Sequence, residues 1–171
     1  MHWRHLLRQE LDYAYLVADK MMALVDDDAL DWKPETGQNW MTVAQLLHHM
    51  TDACGFCFKG FVTGEWGIPP DLDENDMLPS ADKMPAVDGV RQARDLLTKD
   101  KQLALDMLAK VTDHDLEGKM VSAPWNPTAL PLGVQLKQMV DHLNSHRHQL
   151  FYYLKLQGKP VHTGTLWGGD L

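Results

Sequence analysis

Apolar residues recur at three- and four-residue spacing through four long stretches of this chain, a period that predicts four helices. The first runs from about Trp3 to about Val25, with Leu7, Leu11, Ala14, Val17, Ala18, Met21 and Leu24 along one side. Asp26, Asp27 and Asp28 follow it, and carboxylates oppose the dipole at a helix C-terminus, so this end is expected to be poorly capped. The second helix opens at Thr42, whose spacing to Gln45 is that of a capping box, and runs to about Val62. Asp88 is expected to cap the third, which continues through Val90, Ala93, Leu97, Ala104, Met107, Leu108 and Val111. The fourth starts near Pro131 and ends before Gly158 and Pro160.

The connections differ in kind. DALDWKPETGQNW and TDHDLEGKMVSAPWNPTAL read as loops, and the tail VHTGTLWGGDL as irregular chain with Trp167 as a candidate anchor. The segment GEWGIPPDLDENDMLPSADKMPAV, residues 64–87, is proline-rich, acidic and longer than antiparallel neighbours require, which predicts a crossover between the second and third helices. The fold class expected is all-α, a four-helix bundle forming one domain over residues 1–171.

Composition narrows the function more than the fold. With 171 residues, 44% of them hydrophobic, the chain can bury one substantial core. A net charge of −8 argues against binding nucleic acid or an anionic membrane, both of which need a basic patch. The opening MHWRHLLRQELDYAYL lacks the apolar run of a signal peptide and no stretch is long enough to cross a bilayer, so a cytoplasmic location is expected.

The chemistry concentrates in three histidines. His142 and His146 stand one helical turn apart, about 40° from each other around the helix axis, so their imidazoles converge. Leu132, Gln135, Met139, Leu143, Leu150 and Tyr153 share their face, while Lys137, Asp141, His148 and Lys155 lie behind. The pair therefore faces inward, where each ring nitrogen needs a partner and where imidazoles suit zinc, nickel, iron or copper. On the second helix, His49 falls at the edge of the apolar arc of Leu46, Leu47, Met50, Ala53, Cys57 and Phe61, whereas His48 shares the opposite face with Gln45, Asp52 and Lys59. Helical phase thus selects His49, His142 and His146 as ligands of one divalent metal ion with an open coordination position, as a catalytic site requires.

Other polar residues are weighed against that centre. Glu10 sits within the first helix's apolar arc, as a partner for a ligand histidine or metal-bound water, or else as a peripheral ion pair. Arg147 and Tyr153, with the 64–87 connection, are candidate walls of a substrate site, Arg147 being suited to hold an anion. Cys54 and Cys57 form a CxxC without a second half or a preceding strand, which favours reduced core thiols over redox chemistry. No Glu-x-x-His occurs, so a carboxylate-bridged di-iron centre is not expected. No Ser/His/Asp series or phosphate-cradling glycine loop appears, and no catalytic residue is assigned.

GQNWMTVAQLLHHM together with DHLNSHRHQLFYYLKLQGKP resembles the DinB-like superfamily of YfiT-like, metal-binding four-helix bundles, in order and spacing over nearly the whole chain. The family's metal histidines fall on His49, His142 and His146, and Arg147 and Gln149 match the segment after the last ligand. His148 stands where the family has glycine. The resemblance implies an up-down-down-up bundle, zinc or nickel as the metal, and a homodimer. It also implies two functional classes. One is a metal-dependent transferase or hydrolase that uses a low-molecular-weight thiol on a small electrophilic substrate; the other is a non-catalytic, stress-related dimeric metal binder.

Overall fold

The apolar stripes become the buried faces of long helices in the computed structural model, which describes residues 2–68 and 78–169. The chain is predominantly helical: α1 (Trp3–Met22), α2 (Val43–Met50), α3 (Gly55–Thr63), α4 (Val90–Ala109), α5 (Asp113–Gly118), α6 (Leu132–Leu156) and α7 (Thr163–Leu166). α1 packs against α4 and α6, and α3 packs on the same two helices from the other side. Leu7 and Leu11 of α1, Leu46 and Leu47 of α2, Leu97 of α4 and Leu132, Leu136, Leu143 and Leu150 of α6 are buried in the core between them. Each such side chain contributes roughly 1.5–3 kcal/mol by leaving water, which is what holds the helices together.

Thr42 opens α2 with the expected reciprocal box: its hydroxyl accepts from the Gln45 amide at 3.2 Å, and the Gln45 side-chain oxygen accepts from the Thr42 amide at 2.8 Å. The predicted second helix is nonetheless two. It breaks over residues 51–54 and restarts as α3, because the Asp100 carboxylate of α4 accepts from the Gly55 and Phe56 amides at 2.8 Å each. A buried carboxylate at a helix start satisfies amides that a continuous helix would have turned inward on itself.

The loop before α6 contains structure that the apolar period could not reveal. After the short α5, strands β1 (Met120–Ala123) and β2 (Asn126–Pro131) pair antiparallel, with Val121 opposite Leu130 and Ala123 opposite Asn126. Trp125 at the turn stacks edge-on with Trp66 at 5.2 Å, and Trp66 with Phe61 at 4.9 Å, which ties the hairpin to α3. Gly60 permits this, since a Cβ there would lie 2.4 Å from the Trp66 ring. The middle of the expected crossover, residues 69–77, lies outside the described residues. Its end docks on α2, where the Gln45 side-chain amide donates to the Ala81 and Met84 carbonyls at 2.7 and 3.0 Å and the Val87 amide to the Ala44 carbonyl at 3.2 Å.

Three local expectations are corrected. The aspartates after α1 serve other elements: Asp27 accepts from the Val90 amide at 2.8 Å and so caps α4, and Asp26 pairs with Lys159. Asp88 does not cap α4, whose N-cap is Gly89; it pairs instead with Gln92. The tail forms α7, and Trp167 is 62% exposed, so the anchors are backbone carbonyls: Trp167 accepts from the Tyr13 hydroxyl at 3.3 Å and Gly168 from the Lys20 ammonium at 3.1 Å. Replacing Asp27 with alanine is expected to cost about 1 kcal/mol of unfolding free energy through the lost cap. Urea denaturation beside Asp28→Ala, which removes a neighbouring carboxylate, tests this; equal midpoints for the two variants would show that the cap contributes nothing.

Candidate metal centre

One face of α6 carries His142 and His146, and the last turn of α2 carries His49 opposite them. Packing of α2 on α6 brings the three rings together, with centroids 5.1 Å apart for His49 and His142, 4.4 Å for His49 and His146, and 4.8 Å for His142 and His146. One ring nitrogen from each lies within 4.8 Å of the other two. Among the described residues this is the one cluster of three or more candidate ligand side chains.

The outer nitrogens are held by different parts of the chain. His142 Nδ1 lies 3.1 Å from the Ala53 carbonyl, which can only accept, so Nδ1 carries the proton and Nε2 a lone pair. His146 Nδ1 lies 3.0 Å from the Gln149 side-chain oxygen; the Gln149 amide donates to the Tyr153 hydroxyl at 3.1 Å, and that hydroxyl to the Met41 carbonyl at 3.0 Å. This chain of bonds fixes the second tautomer in the same sense. His49 Nδ1 faces the Asp52 carboxylate at 3.5 Å. The inner nitrogens of His142 and His146 thereby carry lone pairs, and His49 Nε2 stands 3.2 Å from His142 Nε2. Partners of this kind on the far nitrogen are what orient imidazoles toward a metal.

Burial keeps these rings uncharged. It lowers the pKa of His49 to about 3, with the neighbouring His146 and His142 adding to the shift. Burial also lowers His142 and His146, against the opposing bonds to Ala53 and Gln149. Three neutral imidazoles with converging nitrogens suit a divalent cation chemically, since none has to lose a net proton before it binds.

A cavity of about 270 Å³ opens beside His49, lined by Asn39, Met41, Leu78, Pro79, Ala81 and Met84. The end of the 64–87 connection therefore does form a wall next to the histidines. Tyr153 and Arg147 do not line this cavity. Tyr153 is 2% exposed and acts through Gln149 on His146. Arg147 is also 2% exposed and lies over the Tyr13 ring of α1, 5.9 Å from its centroid, with one nitrogen donating to His148 Nε2 at 2.9 Å. Consecutive helix residues diverge by about 100°, and this divergence turns Arg147 from the side of α6 that carries His146 toward α1. Glu10 has Lys137 as its described partner, at 3.9 Å with a side chain 37% exposed, which is the peripheral ion pair and not a contact to the histidines.

His48 stays outside the cluster, 3.9 Å from Asp52, and Cys54 and Cys57 are unpaired and buried with thiol pKa values pushed up, that of Cys57 to about 12. Residues missed from sequence are Asp52, Ala53, Asp100 and the orienting role of Gln149. Two were readable, because Asp52 and Gln149 lie three positions after His49 and His146, within one helical turn.

A solved DinB-like protein from Bacillus cereus superposes on this chain with a TM-score of 0.65 at 19% identity, covering 89% of this chain and 91% of that one. At that identity the likeness speaks for the fold alone. No protein with a curated description matches the sequence. The family model of the DinB superfamily matches residues 10–150, and the chain belongs to that superfamily.

Proposed function

We propose that this protein is a divalent-metal-binding, up-down-down-up four-helix bundle in which His49, His142 and His146 hold one zinc or nickel ion. The observation that carries the reading is the apposition of His49 Nε2 and His142 Nε2 at 3.2 Å, the latter deprotonated by virtue of its Nδ1 bond to Ala53. The His142 lone pair must meet either a proton carried by His49 Nε2 or a cation, and a third imidazole favours the cation.

When bound, such an ion lowers the pKa of a thiol or water in its open position and so supplies a nucleophile at neutral pH. The residues supply the rest. Three neutral ligands leave the ion's charge uncompensated, and the wall of Met41, Leu78, Pro79 and Met84 excludes water from an apolar electrophile entering beside His49. Asn39 is the amide able to orient its polar end. We infer a transferase that joins a low-molecular-weight thiol to a small electrophile.

Purified without chelator, the protein is expected to carry about one divalent ion per chain. His142→Ala and His146→Ala should abolish this and His49→Ala weaken it strongly, while His48→Ala and His148→Ala leave it unchanged; elemental analysis reads the result. Full occupancy in the His142→Ala/His146→Ala double variant would refute the site. The metal-loaded protein should then show a thermal shift with a small thiol and turn over an added electrophile. Binding of metal with neither response would favour the non-catalytic metal binder.

The lowered histidine pKa values give a pH dependence with a definite sign. Protonation removes the lone pair that binds metal, and burial delays protonation, so zinc should be retained as pH falls through 6.5, the ordinary histidine value, and released only at lower pH. A zinc-sensitive dye follows the release. A midpoint above 6.5 would mean that the rings are solvated.

A further inference from the structure

Asp100 is a carboxylate in the middle of α4's apolar face, between Leu97 and Ala104, and it is 6% exposed. All of its described bonds run to the break between α2 and α3 or to α1. Oδ1 accepts from the Phe56 amide at 2.8 Å; Oδ2 accepts from the Gly55 amide at 2.8 Å and from the Tyr15 hydroxyl at 2.6 Å. The approach is close enough to demand glycine, since a Cβ on residue 55 would lie 2.0 Å from the Asp100 carbonyl oxygen.

Nothing in the broken stretch, Thr51-Asp52-Ala53-Cys54, stops a helix by itself, for it holds neither proline nor glycine. The restart is imposed from α4. In an unbroken helix the Ala53 carbonyl would accept from the amide four residues on. Here α3's first bond runs from the Phe58 amide to the Cys54 carbonyl, and the Ala53 carbonyl is left to His142 Nδ1.

We propose that Asp100, steadied by Tyr15, is a positioning residue for the metal centre: by capping α3 it holds the helix break open and so presents the Ala53 carbonyl that fixes the tautomer and direction of His142. Asp100 acts through backbone alone and touches no ligand. The inference shares the three-histidine reading for its metal arm, while its tautomer arm is read without metal.

The test compares Asp100→Asn, Tyr15→Phe and a control, Leu108→Ala, which removes a buried side chain from the same helix without touching the break. Asparagine keeps the shape but turns one acceptor into a donor, so one α3 amide loses its partner. In the metal-free variant, imidazole ¹⁵N shifts should show His142 losing its Nδ1–H preference. Zinc affinity, by competition with a chromophoric chelator, should fall about 10–100-fold, as when a ligand's orienting partner is lost. Tyr15→Phe keeps both capped amides and should move both readouts the same way by less. Leu108→Ala should lower the melting temperature yet leave affinity and tautomer unchanged.

An unaltered His142 tautomer in Asp100→Asn, or an equal loss of affinity in Leu108→Ala, would overturn the proposal. Should Asp100→Asn fail to fold, Tyr15→Phe decides, and an unchanged tautomer ratio in it counts against the role. Failure of the wild-type chain to bind zinc would sink the metal reading while the tautomer result still stood or fell by itself.

Discussion

Two imidazole nitrogens face each other at 3.2 Å, and the Ala53 carbonyl fixes one of them, His142 Nε2, as a lone pair that either a proton on His49 Nε2 or a cation must meet. The packing of α2 against α6 is what brings those nitrogens together. Leu46, Leu47, Leu143 and Leu150 bring the two helices together without regard to what the histidines carry. The acceptors behind His142 and His146 settle which nitrogen points inward, and so leave a packed polar cluster able to hold a metal ion.

The acceptors behind the three rings come from two places in the fold, the stretch between α2 and α3 and the next turn of α6. Ala53 is offered by a helix break, Gln149 by the next turn of α6, and Asp52 by the turn after His49. Tyr153, 2% exposed, continues the Gln149 link to the loop at Met41, which also lines the cavity beside His49. Met41 is thus linked to His146 through three hydrogen bonds. Redox chemistry at Cys54 and Cys57 is disfavoured by the same core: burial, and then the nearby Asp100 carboxylate, oppose thiolate formation at both.

Helical phase was the legible part of the sequence. It identified the three histidines, separated His49 from His48, and placed the Thr42 box and the start of α6 at Pro131, because each of these depends on neighbours within a turn or two. Long-range effects were not legible. The split of the second helix is caused by Asp100, some forty-five positions downstream, and the cap of α4 by Asp27, sixty-three positions upstream. The hairpin at Met120–Pro131 is held by Trp66 and Phe61 rather than by its own period. Arg147, expected as a wall of the site, lies over Tyr13 of α1 and not along the cavity beside His49, a packing that its position next to His146 does not reveal. Asp100 itself carried a signal, as a lone carboxylate on an apolar face asks for a buried donor.

X-ray absorption at the metal edge of the zinc-loaded protein tests the centre most directly, because it counts and identifies the atoms around the ion. Three imidazole nitrogens at about 2.0–2.1 Å with an oxygen completing the sphere are expected of His49, His142 and His146 with an open position. A sulfur neighbour at about 2.3 Å, or fewer than three imidazoles, would contradict a three-histidine centre.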